Sequence, residues 1–347
     1  MKYRYILGTI LLTVILSACE KPHQPGDNNI RLNARVSNPI EVIVRAQVDE
    51  YRGIYPSIDN PLYADVWFSL EPGVFPHNPQ PDTNIPCHSH IKYEGEITDP
   101  ISSDASGADI QPAYPTDDSP VYCVGFYPAT TPNSSTEQSW TLIDEQSTTV
   151  SRNINGYEDL MFAPQISGTW SNPMRFQDFN HLLTWVRVVV NATSVEAPES
   201  WGDIKKISIV GKESVEIELG RGNISYTGNE KEFDVLSPND PKIELTTALK
   251  EVGEILCSPP HKTYSDSDDT MVYTVRVETE NHTKEIDVKL QTMDGTPITS
   301  SSNIEAQLII INLQFNKFNI IDGVCTLNTF ENENNNGFVI GGDLDLG

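Results

Sequence analysis

Positive charge is scarce in this 347-residue sequence: 23 Lys and Arg stand against 49 Asp and Glu, a formal net charge of −26. A surface of that sign repels phosphate backbones and anionic headgroups, which excludes nucleic acid as a partner. Catalytic signatures are missing too. The chain has no GxSxG elbow, no HExxH and no P-loop pattern, and its seven His are scattered without partners at useful spacing, so no enzymatic activity is expected. No CxxC occurs. Helical periodicity is nearly absent, the best candidate being a turn or two over residues 176–183. Beyond the N-terminus, no apolar run approaches the roughly 20 residues that a spanning helix needs.

The N-terminal apolar run is itself too short to span. Lys2 and Arg4 precede an apolar stretch over residues 5–16, and Leu16-Ser17-Ala18 leads into Cys19. This is the pattern of a lipoprotein signal, residues 1–18, cut before a cysteine that carries lipid. Several acyl chains bury enough CH₂ groups to make anchoring stable, so a lipid anchor takes the place of a membrane helix. Residues 19–29 are then a lipidated tether rich in Pro, Gly, Asn and charge, outside the fold proper. With Cys19 used for lipid, Cys87, Cys123, Cys257 and Cys325 remain, and their spacing leaves disulfides and free buried thiols equally open.

What the chain does have is alternation. Val186, Val188 and Val190 share one face of a strand; Ile207 and Ile209 precede a Gly211-Lys212 turn, after which Val215, Ile217 and Leu219 alternate with Glu216 and Glu218 as a hairpin would. Tyr273, Val275 and Val277 alternate with polar residues, as do Ile286, Val288 and Leu290. Residues 306–315 give a last strong strand, and strands are expected over 41–48, 64–70 and 121–127. Strands and turns at regular spacing predict an all-β chain of two tandem β-sandwiches, residues 30–170 and 171–347.

Three runs line up in order: residues 122–128 (YCVGFYP), 159–163 (DLMFA) and 179–190 (FNHLLTWVRVVV). Together they resemble the Bacteroidales fimbrillin superfamily, the type V pilins and their accessory subunits. The likeness continues through residues 204–228, a strand, hairpin and Gly-turn succession, and ends with residues 306–315. It implies transthyretin-like sandwiches and a surface-exposed lipoprotein of the fimbrium. Partners would be other pilin subunits joined by β-strand exchange, and a host or bacterial surface receptor. None of these motifs is catalytic. Taken by themselves, Leu160, Met161 and Phe162 read as core and His181 as a satisfied core histidine.

The resemblance also implies a way of assembling. An arginine-specific protease removes the first strand of such a pilin, and another subunit's segment fills the opened groove by β-augmentation. Arg52, in the loop 49–53, is the processing candidate, whereas Arg35 and Arg45 sit in strand-like runs that would shield them. A polar linker over 331–337 leads to a donor-strand candidate over 338–346, in which Phe338 with Ile340, and Leu344 with Leu346, alternate. The Gly341-Gly342 pair between them fills no pocket, so the expected role is an accessory or tip subunit rather than the main stalk.

Cys87-His88-Ser89-His90 is the one concentrated set of metal-ligand types. No second ligand pair is evident along the chain and loop composition accounts for the run, so neither a metal nor a cofactor is expected. Asp269-Thr270-Met271 matches a short O-glycosylation signal, which surface exposure would suit. The alternative function is a surface glycan-binding lipoprotein of a polysaccharide-uptake system. Its platform would draw on Trp67, Trp140, Trp170, Trp185 and Trp201, although Trp67 and Trp185 lie in strand patterns and read as core.

Overall fold

Alternating apolar residues become strands nearly everywhere the computed structural model describes the chain: residues 28–36, 62–75, 88–93, 102–103, 109–129, 140–143, 148–265, 268–292, 295–299, 308–318, 320–321 and 325–328. The strands of the first half are β1 (Asn33–Val36), β2 (Leu62–Ser69), β3 (His88–Tyr93), β4 (Ser102–Ser103), β5 (Asp109–Ile110), β6 (Val121–Tyr127), β7 (Thr141–Leu142), β8 (Thr149–Asn153), β9 (Met161–Gly168) and β10 (Phe176–His181). There follow β11 (Thr184–Ala192), β12 (Ile204–Glu218), β13 (Asn223–Leu236), β14 (Lys250–Cys257), β15 (Lys262–Ser265), β16 (Asp268–Thr279), β17 (Thr283–Thr292), β18 (Leu308–Phe315), β19 (Ile320–Ile321) and β20 (Cys325–Asn328). A single helical turn and a half, α1 (Ala197–Trp201), interrupts them. The chain is all-β, its sheets curled into a sandwich-like arrangement. No described helix is long and apolar enough to cross a membrane.

Among the described residues the strands form two main sheets. The smaller runs β1-β10-β9-β6-β2-β3, and the larger runs β14-β11-β18-β20-β17-β16-β12-β8-β7 with β13 added to β12, β15 to β16 and β19 to β18. Strand β18 lies parallel to β11 on one side and antiparallel to β20 on the other, and its Ile310 is half-buried against the larger cluster. The expected division at residue 170/171 falls between β9 and β10, neighbours in the smaller sheet, while β8 pairs with β12 of the larger sheet.

Buried side chains collect in two clusters. One holds Leu62, Val66, Tyr93, Cys123, Met161 and Phe179; the other holds Trp185, Val188, Ile207, Val215, Tyr273, Ile311 and Phe315. Strand β6 is buried on both faces and feeds both: Val121 and Cys123 join the first cluster, Val124 and Phe126 the second. A strand covered on both sides needs continuous apolar character.

Two local expectations are corrected. Residues 176–181 form β10, a strand, not a helical turn, because their backbone pairs with β9 and β1. The Gly211-Lys212 turn does not exist: β12 runs unbroken through it, and the reversal comes later, between β12 and β13 at residues 219–222. Glycine is needed at 211 for room. A Cβ there would stand 2.8 Å from Ser258 Oγ and 3.1 Å from the Phe233 ring, and a glycine inside a strand marks such close approach as often as a turn.

Candidate functional site

The first two runs and the start of the third are neighbouring strands of the smaller sheet, β6, β9 and β10, while residues 184–190 of the third run continue into β11 of the larger sheet. Phe126 pairs with Phe162 and Tyr127 with Met161 across β6 and β9, and Asn180 pairs with Phe162 and His181 with Met161 across β9 and β10. Gly125 sits where the β6–β9 register shifts; a Cβ there would meet the Phe179 ring at 2.8 Å and the Gln177 amide at 3.1 Å. Gln177 is fully buried, accepts from the Tyr93 hydroxyl at 2.5 Å and donates to Cys123 Sγ at 3.1 Å. His181 Nδ1 lies 2.7 Å from Asp159 Oδ2, both side chains 3% exposed. His181 is thus a core histidine that, through Asp159, ties the second run to the third.

Beside this sheet lies the N-terminal segment. Ile30 and Leu32 are fully buried and Ala34 nearly so, while Arg31 faces out. This period of two is that of a strand seated in a groove. Its backbone is held at two places: Ile30 N–H donates to Pro112 O at 2.8 Å and Tyr114 N–H to Asn28 O at 2.7 Å, and further along Asn33 N–H donates to Arg175 O at 2.8 Å. From Asn33 to Val36 it pairs in parallel with residues 176–179, at one edge of the smaller sheet. Burying Ile30 and Leu32 contributes roughly 3–6 kcal/mol together.

At the opposite edge, β3 carries His88 and His90. Asp65 on β2 is opposite His90, and Trp67 is opposite His88. Asp65 Oδ1 lies 2.5 Å from His90 Nδ1 and 3.4 Å from His88 Nε2, and all three ligand atoms fall within 4.8 Å of one another. The carboxylate is 3% exposed and the imidazoles 50% and 36%. Hydrogen bonding to Asp65 raises the His90 pKa above its ordinary 6.5, partly offset by burial. The sequence reading assigned the two histidines to a loop and missed Asp65, which is 23 residues from His88. A strand register between β2 and β3 was the only signal able to supply it.

Cys19, Arg52, Cys87, Phe338, Ile340, Leu344 and Leu346 lie outside the described residues, as does the strand expected over 41–48. Cys123 and Cys257 are free, buried thiols in different clusters. Burial pushes the Cys257 thiol up to about 12 and that of Cys123 well above its usual range, so neither is reactive. Thr270 is 5% exposed, which removes the expected exposure of the glycosylation signal. Trp140, Trp185 and Trp201 are buried, Trp67 packs against the core, and Trp170 is 36% exposed.

The architecture has solved counterparts. A Bacteroides uniformis protein proposed to act in cell adhesion aligns over 88% of this chain and 100% of its own, with a TM-score of 0.50 at 14% identity. The chain shares that protein's fold. A second protein proposed for cell adhesion, from Bacteroides ovatus, covers 86% of this chain and 95% of its own at 14% identity and a TM-score of 0.47. A fimbrial protein from Bacteroides vulgatus covers 86% and 97% at 9% identity and a TM-score of 0.39. At these identities the likeness concerns the fold. No protein-family model matches the chain, and no curated protein matches it.

Proposed function

We propose that this chain is a non-enzymatic, fimbrillin-like subunit of a surface fimbrium, exported as an outer-membrane lipoprotein through Cys19 and joined to other subunits by strand exchange. The observation that carries this reading is the seated N-terminal segment: a stretch of chain with Ile30, Leu32 and Ala34 pointing inward and backbone bonds to residues 112–114 and 175–179. Removing it would leave an unpaired strand edge above apolar pockets, which is what an incoming strand from a partner recognises. Arg52 follows this segment and precedes β2, so cleavage there would release the seated strand while leaving the remaining sheet intact.

In this reading residues 30–170 and 171–347 are two sandwich domains, and residues 338–346 supply the donor through Phe338, Ile340, Leu344 and Leu346. The glycine pair in that segment favours an accessory or tip position over the stalk. The fold shared with a solved protein proposed to act in cell adhesion supports the reading. The glycan-binding alternative loses its support with the burial of Trp140, Trp185 and Trp201.

N-terminal and intact-mass analysis of the protein from native outer membranes and from sheared surface material tests the proposal. A mature start at Gly53 in sheared fibres is the expected result. A chain that keeps an acylated Cys19, is uncut and is confined to membranes would sink it. A chain truncated after Asn336 should fail to enter fibres; unchanged incorporation would remove the donor assignment.

A further inference from the structure

We propose that Asp65, His88 and His90 form a binding site for a divalent transition-metal ion of the zinc class at the β3 edge of the smaller sheet. Residues two apart on a strand project to the same face, so His88 and His90 stand side by side, their ring centroids 4.8 Å apart. The register puts Asp65 directly across from His90, and its Oδ1 lies within reach of both imidazoles. Two neighbouring strands thereby supply two nitrogens and one oxygen to one point.

The donor chemistry selects the ion. Imidazole suits zinc, nickel and copper, whereas calcium and magnesium take oxygen ligands. With zinc–ligand bonds of about 2.0–2.2 Å, tetrahedral ligand atoms stand about 3.3 Å apart. The observed separations of 2.5 and 3.4 Å from Asp65 Oδ1, with all three atoms inside 4.8 Å, require only small rotations of two partly exposed side chains. Asp65 is held by burial, so the ring carrying each nitrogen moves while the carboxylate stays. Trp67 flanks the site, its ring 6.0 Å from that of His88. The net charge of −26 raises the local concentration of cations. Three protein donors leave a fourth position for water or for a donor from outside the chain.

This inference stands apart from the subunit reading, since it rests on β2 and β3 alone. The test is calorimetric titration of Zn²⁺ into the full chain, purified without a histidine tag and stripped of metal, beside His88→Ala and His90→Ala. Both histidines are partly exposed, so both variants should fold, and far-ultraviolet circular dichroism checks that they do. The expected result is one ion per chain, weakened more than about tenfold by either substitution, since even outer-shell changes at metal sites cost 10–100-fold. Ca²⁺ should produce no heat of binding at the same concentrations. Zinc binding that is absent, or equal in wild type and both variants, would overturn the site.

Discussion

Gly125 is a point of close packing in the smaller sheet. Its missing side chain makes room for the Phe179 ring and the buried Gln177 amide, with no positive φ involved. Gly125→Ala should therefore destabilise by about 1–3 kcal/mol through overpacking, measured as a lowered midpoint in urea. The Asp159–His181 contact is a second such point, a polar pair buried inside the apolar frame. Asp159→Ala strands the imidazole and should cost on the order of 3 kcal/mol, and adding His181→Ala should cost much less than a second independent loss. Additive losses in that double-mutant cycle would mean that the two groups do not act as a pair.

Among the elements, β13 and its neighbours show how surface charge is organised. Glu232 on β13 receives Lys206 of β12 at 2.6 Å and Arg276 of β16 at 2.5 Å, and Arg276 continues to Glu285 of β17 at 2.6 Å. Hydrogen bonds from Lys206 and then Arg276 pull the Glu232 pKa from 4.5 to about 2. A depressed carboxyl stabilises the fold above its ordinary pKa, and that contribution is lost as pH falls from about 4.5 through about 2. The stability gap between wild type and Glu232→Gln should hold from neutrality to about pH 5 and shrink below it, as followed by thermal unfolding at a series of pH values. At the other sheet, replacing Leu32 by Asp would bury a charge in the groove of the N-terminal segment. That variant should expose the segment to trypsin at Arg31 and Arg35 while β11 to β18 remain protected.

Over the whole molecule, charge and surface composition govern behaviour. A net charge of −26 makes self-repulsion a standing cost of the compact state. Raising salt from about 10 to 150 mM shortens the screening length from about 30 to 8 Å, so the unfolding temperature should rise over that range. Of the five Trp, Trp170 alone is exposed, at 36%, so the tryptophan platform that the glycan-binding alternative draws on is not assembled. Polysaccharide-shift gels with the monomer should accordingly show no retardation.

Strand class, the wet and dry faces of β17, and the three resemblance-bearing runs were all legible in the chain, because period-two alternation and local aromatic content are properties of neighbours in sequence. Two glycines show where that ends. Gly211 reads as a turn and Gly125 carries no signal of its own within its run, yet each is small because a residue far along the chain, Phe233 or Ser258 in one case and Phe179 in the other, occupies the space. Residues 176–181 read as helical because pairing on both sides is not written in their own spacing. His88 and His90 were visible as a ligand pair, but their partner Asp65 is set by the β2–β3 register, and so the cluster exists only once the sheet has formed. Sequence by itself determined which faces avoid water, since that depends on side-chain chemistry alone. Tertiary structure decided which distant side chains meet, since register and close packing are collective properties of strands brought together.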